Sequence, residues 1–322
     1  MLGPTRYPAA QLAWARAGLG LYLAVFFAWL APHADGLLAL RADEALRVAA
    51  RDPFAALAAS TGAAPPLLAL AALALGFAAG WARRPLAVAL GCGYACVLAA
   101  LPLGAVPQAP FVGWLLWASL LVPPGEGALG RPARADWRMP LAFPVAAWIV
   151  LAVAYTASGI SKLASPSFVD GDALAQIFTS PIGRRWAFND LLLAWPPLLQ
   201  ALTWASLALE LAFAPLCLAA RTRALAWWAM SGMHVGIALT LGIADVPIGM
   251  LVYHAFVFDV AWLPARLRDS ARSHDGRAHG GLADLPDPAV VQEVQHVRDR
   301  DVDPDDLEAP IRVDPQPVRR DV

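Results

Sequence analysis

Long apolar segments recur through the first 264 residues, and short segments that carry arginine, proline or glycine separate them. Most of these apolar segments approach the roughly 20 residues that an α-helix needs to cross a bilayer. The pattern predicts an all-α, polytopic integral membrane bundle of about seven or eight transmembrane helices over residues 1–264. We expect the helices near residues 11–31, 67–82, 86–104, 111–122, 139–162, 198–220, 224–242 and 247–263.

Four segments depart from this pattern. Residues 32–66 mix charges with leucine and alanine, which predicts an interfacial amphipathic segment rather than a crossing. Residues 111–122 are short for a full crossing. Residues 163–197 are polar and aromatic, and a loop of this length inside a compact fold is usually functional. Residues 265–322 carry nine arginines and thirteen acidic residues, which predicts a disordered, charged cytoplasmic tail.

Composition strengthens the membrane interpretation. The chain is 59% hydrophobic and 15% charged, and its mean hydropathy is +0.54, which lies outside the range of ordinary soluble domains. A formal net charge of −1 offers no basic field for nucleic acid. The expected partner is therefore the lipid bilayer. Three cysteines do not form a disulfide framework, and Cys92 and Cys96 fit small apolar positions.

The arginines indicate an orientation. They cluster after every second predicted helix, at Arg83 and Arg84, at residues 131–138, at Arg221 and Arg223, and at residues 266–268. Because cytoplasmic loops are enriched in basic residues, both termini are predicted to be cytoplasmic and the 163–197 loop extracytoplasmic. Arg184 and Arg185 are exceptions to this rule, because they lie in the loop that is predicted to be extracytoplasmic. We expect local contacts to hold these two side chains in place. The alanine-, leucine- and arginine-rich composition suggests a GC-rich genome, and we expect the inner (plasma) membrane of a bacterium.

Lys162 is the only lysine among the 24 basic residues, and it ends a predicted helix that narrows to Ala157, Ser158 and Gly159. Buried lysine can lose its proton and act as a base, whereas arginine stays charged. The alternative is a lysine that merely reaches into the lipid headgroups. Residue type and position favour the two interpretations about equally.

Further ionisable residues fall within predicted crossings, where charge is costly and therefore indicates function. Glu210 lies in mid-helix, and its predicted partners are Lys162 and His234, because Glu210 and His234 lie equally far from the turn between their helices. For His234 a hydrogen bond to a backbone carbonyl is the alternative. His254 and Asp259 lie near the end of the last crossing, which favours interfacial packing. No metal motif or glycine-rich phosphate loop is recognisable.

The motif Gly159-Ile160-Ser161-Lys162-Leu163, followed by Phe168-Val169-Asp170-Gly171, resembles a signature of the HTTM (horizontally transferred transmembrane) family, which is related to the vitamin K-dependent gamma-carboxylase. Glu210, Arg223 and His234 follow in the acidic, basic and histidine order of that family. The resemblance covers residues 140–264 well. Phe168 stands where the family has tryptophan, and the carboxylase's large β-rich region has no counterpart here.

The resemblance implies a quinol-dependent carboxylase or oxidoreductase in which Lys162 is the base and reduced quinone the cofactor. Glu210 and His234 would assist Lys162 as catalytic residues. Gly159, Phe168, Gly171 and Trp186 would bind the cofactor. Gly159 would also allow a flat quinone ring or a neighbouring helix to approach closely. Phe168, Phe178 and Trp186 are expected to cover the site. The alternatives are a non-catalytic membrane protein that binds a lipid or quinone or scaffolds a partner, and then a transporter.

Overall fold

The computed structural model describes residues 7, 9–39, 53–100, 106–134, 137–243 and 245–262. Over these ranges the chain is helical and forms no β-strand, which confirms the all-α class. The predicted tail, residues 265–322, lies outside the described residues, and so do residues 40–52 of the predicted amphipathic segment.

Eight longer helices coincide with the eight predicted apolar segments. They are α1 (Ala9–Leu30), α4 (Ala64–Ala78), α5 (Arg83–Ala100), α6 (Ala109–Leu121), α7 (Ala142–Leu163), α11 (Pro196–Leu218), α12 (Ala220–Thr240) and α13 (Asp245–Val257). The shorter helices are α2 (Ala34–Ala39), α3 (Pro53–Thr61), α8 (Pro166–Val169), α9 (Ala173–Thr179) and α10 (Ala187–Leu193). Two single 3-10 turns, Ala31–His33 and Val260–Trp262, follow α1 and α13.

Proline sets several of these boundaries. Helices α4, α6 and α11 each carry proline in the first turn, where its missing N–H group would be unpaired in any case. Helix α6 stops before Pro123 and Pro124, because Val122 already adopts an extended backbone with φ −58° and ψ 135°. Proline on both sides therefore limits α6 to 13 residues.

In the part of the chain that the structure describes, three helical segments are long and apolar enough to cross a membrane: Ala9–Leu38, Ala142–Leu163 and Pro196–Leu218. Three shorter apolar helices, α4, α6 and α13, stand beside them. On α7 the outward-facing Ile149, Val153 and Ile160 are exposed although they are strongly apolar. A helix that is apolar on its exposed face fits a lipid environment, so the structure supports a membrane protein.

Neighbouring helices pack mostly in antiparallel pairs. Helix α1 packs on α4, α7 packs on α11, and α12 packs on both α11 and α13. Helix α13 returns to α1, where Gln11 Nε2 donates a hydrogen bond to the Phe256 carbonyl at 3.0 Å. The first and last long helices thus lie side by side.

A buried ion cluster fixes one end of the bundle, which we call the arginine end. Glu126 Oε1 lies 3.0 Å from Arg16 Nη1 of α1 and 2.8 Å from Arg83 Nε of α5. Arg83 also donates to the carbonyls of Ser119 and Val122 at the end of α6. These bonds join α1, α5, α6 and the loop that follows α6 at one point.

Helix α7 begins near the arginine end, because Met139 N–H donates to the Tyr7 carbonyl just before α1. At 1.5 Å per residue, the 22 residues of α7 extend about 33 Å from there. Lys162, the second-last residue of α7, therefore lies at the opposite end of the bundle. We call this the lysine end.

The predicted 163–197 loop instead contains the three short helices α8, α9 and α10 at the lysine end. Asn189 holds them to α12: its Nδ2 donates to the carbonyls of Arg184 and Thr240, both at 2.8 Å. Arg184 itself donates from Nε to the Leu241 carbonyl at 2.7 Å, and Arg185 donates to the Thr179 carbonyl. The expected local contacts of these two arginines are confirmed.

Helices α7 and α11 approach each other closely at Gly159. A Cβ atom at this position would lie 3.0 Å from the backbone nitrogen of Leu211 and from its side chain. Backbone moves aside less readily than a flexible side chain, so any larger residue at this position would require α7 and α11 to shift by a few tenths of an ångström. The contact also sets the relative depth of Lys162 and Glu210, which lie on these two helices close to it.

We expect Gly159→Ala to destabilise the protein by about 1–3 kcal/mol, because the added methyl group forces α7 and α11 apart. Gly232→Ala on α12 is the control, because a Cβ there meets nothing within 4 Å. That control should be neutral or stabilise by up to about 1 kcal/mol through helix propensity. Thermal unfolding in detergent measures both variants, and equal shifts would contradict the packing argument.

Candidate functional site

The lysine end contains an ion pair between two long helices. Lys162 Nζ of α7 lies 2.5 Å from Glu210 Oε1 of α11. The glutamate side chain is 4% exposed and the lysine side chain is 25% exposed. A buried carboxylate without a partner would be strongly destabilising, and here the lysine neutralises it. The predicted contact between Glu210 and Lys162 is confirmed.

The second carboxylate oxygen of Glu210 is buried and has no hydrogen-bond partner within the described part of the chain. A carboxylate group has several lone pairs, of which the lysine occupies one direction. Oε2 can therefore accept one further hydrogen bond from a hydroxyl group or a water molecule.

Phe168 of α8 covers the lysine on another side. Its ring centroid lies 5.1 Å from Lys162 Nζ, within the range of a cation–π contact. Helix α8 follows α7 after a tight turn in which Ser165 N–H donates to the Lys162 carbonyl at 3.0 Å. The ammonium group is thus held between a carboxylate and an aromatic face, and part of it stays accessible.

Two helical turns before Lys162 on α7, Tyr155 joins two histidines from different helices. Its hydroxyl lies 2.7 Å from His234 Nε2 of α12 and 2.7 Å from His254 Nε2 of α13. The hydroxyl has one proton, so it donates to one imidazole and accepts an N–H from the other. With both rings neutral, the two histidines must have opposite tautomers. Exchange of the two tautomers requires a proton to enter at one Nδ1 and another to leave from the other Nδ1, with a shift through Tyr155 between them.

The Nδ1 atoms of His234 and His254 are both buried and lack hydrogen-bond partners in the described structure. With opposite tautomers, one of these atoms carries a proton and the other carries a lone pair. The tyrosine and the two histidines therefore form a short polar chain with an open donor at one end and an open acceptor at the other. Such a chain can move a proton without leaving a net charge behind.

The ion pair and the tyrosine–histidine chain share one helix interface. Tyr155 and Lys162 are seven residues, two helical turns, apart on the same face of α7. Phe213, one turn after Glu210 on α11, packs edge-on against the Tyr155 ring with centroids 4.7 Å apart. The two polar groups therefore lie at successive depths of the same seam between α7 and α11.

Three predicted site residues have structural roles in this arrangement. Gly159 faces Leu211 rather than open space, so a helix makes the close approach there. Gly171 has a φ of +88° and lies against Gln200 and Trp204 of α11, so it serves a turn. Phe178 packs in a separate apolar cluster with Leu199 and Leu241.

Trp186 is 42% exposed, and its ring contacts Phe188 edge-on. Its indole N–H donates to Asn189 Oδ1 at 3.2 Å. Asn189 in turn donates to the Thr240 carbonyl at the end of α12. Of the three aromatic residues expected to cover the site, Phe168 contacts Lys162. Cofactor contacts of Gly159, Gly171 and Trp186 stay predictions.

The position of His254 corrects the sequence interpretation. Interfacial packing was expected from its place near the end of the last apolar segment, but its side chain is fully buried. Trp227 Nε1 also donates to the His254 carbonyl at 2.8 Å. Asp259 does lie beyond the end of α13, where its carboxylate accepts the Ala261 N–H. His234, in turn, bonds to a tyrosine rather than to a backbone carbonyl.

Tyr155 was missed as a site residue because a tyrosine in an apolar helix looks like ordinary core. Its spacing of seven residues from Lys162 was the available signal, since such residues share a helix face. No protein-family model, curated protein or solved structure matches the chain.

We expect Tyr155→Phe to destabilise the protein by about 2 kcal/mol or more, because it leaves two buried histidine nitrogens without partners. Tyr253→Phe is the matched control. Tyr253 is fully buried, and its hydroxyl makes one weak bond, 3.3 Å long, to the Ala147 carbonyl. Losing that bond should cost about 0.5–1 kcal/mol. Equal losses of thermal stability in the two variants would refute a bridging role for Tyr155.

Proposed function

We propose that this protein is a membrane-embedded enzyme of the HTTM and vitamin K-dependent gamma-carboxylase type, in which Lys162 accepts a proton from a reduced, lipid-soluble quinone. The 2.5 Å contact between Lys162 Nζ and Glu210 Oε1 carries the proposal. It gives the lysine a neighbour that can take its proton. The resemblance of residues 140–264 to that family also supports Lys162 as the base and Glu210 as the residue that assists it.

Lys162 must first become a free amine. In water the ammonium–carboxylate pair is favoured, but burial penalises both charges. Transfer of one proton from Nζ to Oε1 converts the ion pair into a neutral amine and a neutral acid. The amine then has a lone pair to accept a proton from the substrate. Glu210 keeps the proton it received from Lys162 until it releases that proton to water, and the ion pair then forms again.

The surroundings of Lys162 suit an aromatic hydroxyl compound. A bound reduced quinone would supply the hydroxyl proton and the electrons for a later oxidation. Phe168 offers an aromatic face beside Nζ, and Glu210 Oε2 offers an open acceptor to orient a hydroxyl group. The exposed quarter of the lysine side chain leaves an approach from the bundle surface.

A second candidate is a non-catalytic membrane protein that binds a lipid or quinone or scaffolds a partner. The completeness of the ion pair favours it, because each charge already neutralises the other. In that case any cation that reaches Glu210 would suffice. Substituting Lys162 separates the two functions.

We expect Lys162→Arg to keep the fold but lower oxygen-dependent oxidation of a reduced menaquinone analogue by about a hundredfold, because arginine does not give up its proton. The measurement uses the purified protein in lipid nanodiscs and an oxygen electrode. Glu210→Gln should also lose activity, and Arg221→Lys, an exposed site at the arginine end, serves as the control. Full activity of Lys162→Arg would reject Lys162 as the base. Absence of quinol oxidation in the unmodified protein would favour the binding function.

We further propose eight membrane crossings in a bacterial inner membrane, with both termini cytoplasmic and the segment between α7 and α11 outside. The grouping of Arg83, Arg84, Arg131 and Arg134 at one end of the bundle supports this orientation. The eight longer helices and their largely antiparallel packing support the number of crossings.

Cysteine labelling tests the orientation after the native cysteines are replaced by alanine. We expect Thr179→Cys to react with an impermeant maleimide in intact spheroplasts, whereas Pro132→Cys should react only after permeabilisation. Both positions are exposed in the structure, so accessibility in the folded protein is matched. The reverse pattern would invert the proposed topology.

A further inference from the structure

The arginine end contains a cavity of about 440 Å³ that is separate from the lysine end. It lies between the α4–α5 turn and the loop that follows α6. Its charged lining consists of Arg83, Arg84, Arg131, Arg134 and Glu126. Glu126 is the only acidic side chain among the described residues that line it.

The carboxylate of Glu126 is already paired with arginine side chains. Its Oε1 atom accepts a hydrogen bond from Arg16 and forms an ion pair with Arg83, and all three side chains are buried. The buried cluster thus carries two arginine charges against one carboxylate. Arg84 and Arg131 are exposed at the cavity and add further positive charge. Among the described residues that line it, the cavity therefore carries more positive than negative charge.

The donors of the cavity match an oxyanion. Guanidinium groups present planar pairs of N–H donors that fit phosphate oxygens in a bidentate manner. The cavity also includes the first residues of α5, an 18-residue helix whose N-terminal end favours negative charge. The floor of the cavity is held in place, because Arg83 donates to two carbonyls of the α6 end. A preformed site of this kind suits a phosphate group.

The surroundings indicate where that phosphate comes from. Trp81 and Leu129 directly follow the cavity-lining residues Gly80 and Ala128 in the chain, and they are 60% and 73% exposed. Leu129 N–H donates to the Ala79 carbonyl at 2.7 Å, so the loop carrying it is attached to the α4–α5 turn. Exposed tryptophan beside arginine is typical of the interfacial layer, where acyl chains meet headgroups. Lipid acyl chains would cover these apolar side chains while the phosphate enters the cavity.

We propose that this cavity binds the phosphate-bearing headgroup of an anionic phospholipid. Arg84 and Arg131 make the direct contacts with the phosphate, and the buried cluster of Arg16, Glu126 and Arg83 supports them from below. The proposal does not depend on the chemistry at Lys162, which lies at the other end of α7. It concerns binding and involves no reaction.

The test uses the full chain in detergent, with dioleoyl phosphatidylglycerol as the anionic lipid and dioleoyl phosphatidylcholine as the zwitterionic lipid. Native mass spectrometry measures bound lipid, and thermal unfolding measures the stabilisation that each lipid provides. The double variant Arg84→Ala/Arg131→Ala removes the two exposed arginines and leaves the buried cluster intact. Arg185→Ala/Arg221→Ala removes two exposed arginines elsewhere and is the matched control.

We expect the unmodified protein and the control to prefer phosphatidylglycerol. The cavity variant should bind it more weakly by about tenfold for each arginine lost. Arg84→Lys/Arg131→Lys keeps the charge but loses the bidentate donors, and its affinity should fall between the two. Equal affinity of the cavity variant and the control, or no preference over phosphatidylcholine, would overturn the proposal.

A separate arm distinguishes the lipid from a free anion. Glycerol 3-phosphate and inorganic phosphate carry the same phosphate chemistry without acyl chains. We expect them to stabilise the protein much less than phosphatidylglycerol at equal concentration, because Trp81 and Leu129 then stay uncovered. Equal stabilisation by glycerol 3-phosphate would overturn the assignment to a lipid headgroup.

Discussion

The ion pair between Lys162 and Glu210 joins α7 to α11, two of the helical segments long and apolar enough to cross a membrane. A carboxylate at mid-helix is costly among apolar side chains unless a cation reaches it. That requirement sets the depth of the two helices relative to each other. The close approach at Gly159 satisfies it, because Leu211 of α11 packs directly against α7 there. Removing either partner would leave the other charge buried and unpaired. The pair therefore constrains the relative positions of α7 and α11.

The same constraint operates differently at the arginine end. There one carboxylate, Glu126, serves two buried arginines, and backbone carbonyls satisfy further donors of Arg83. The ion pair at the lysine end is balanced in charge and leaves one acceptor open, whereas the buried cluster at the arginine end has two arginines against one carboxylate. We propose that the first moves a proton and that the second helps to hold an anion. About 33 Å of apolar helix separates the two.

Much of the helical architecture could be predicted from hydropathy, because a helix in an apolar environment must satisfy its own backbone hydrogen bonds. The contact of Glu210 with Lys162 could also be predicted, since an acid in mid-helix needs a partner and Lys162 was the only lysine available. The local structure of residues 163–197 was harder to predict. Three short helices in residues 163–197 follow from contacts with α11 and α12 rather than from any apolar period of their own.

What the sequence by itself determined was the helical class, the positions of the long helices and the pairing of Glu210 with Lys162. Tertiary structure alone decided which polar groups meet. Tyr155, His234 and His254 come from three helices, and nothing local to any one of them indicates that their side chains converge. Helix periodicity shows which face a residue occupies but not what lies opposite. That information resides in the packing of helices distant in sequence, which depends on the shapes of all the side chains between them.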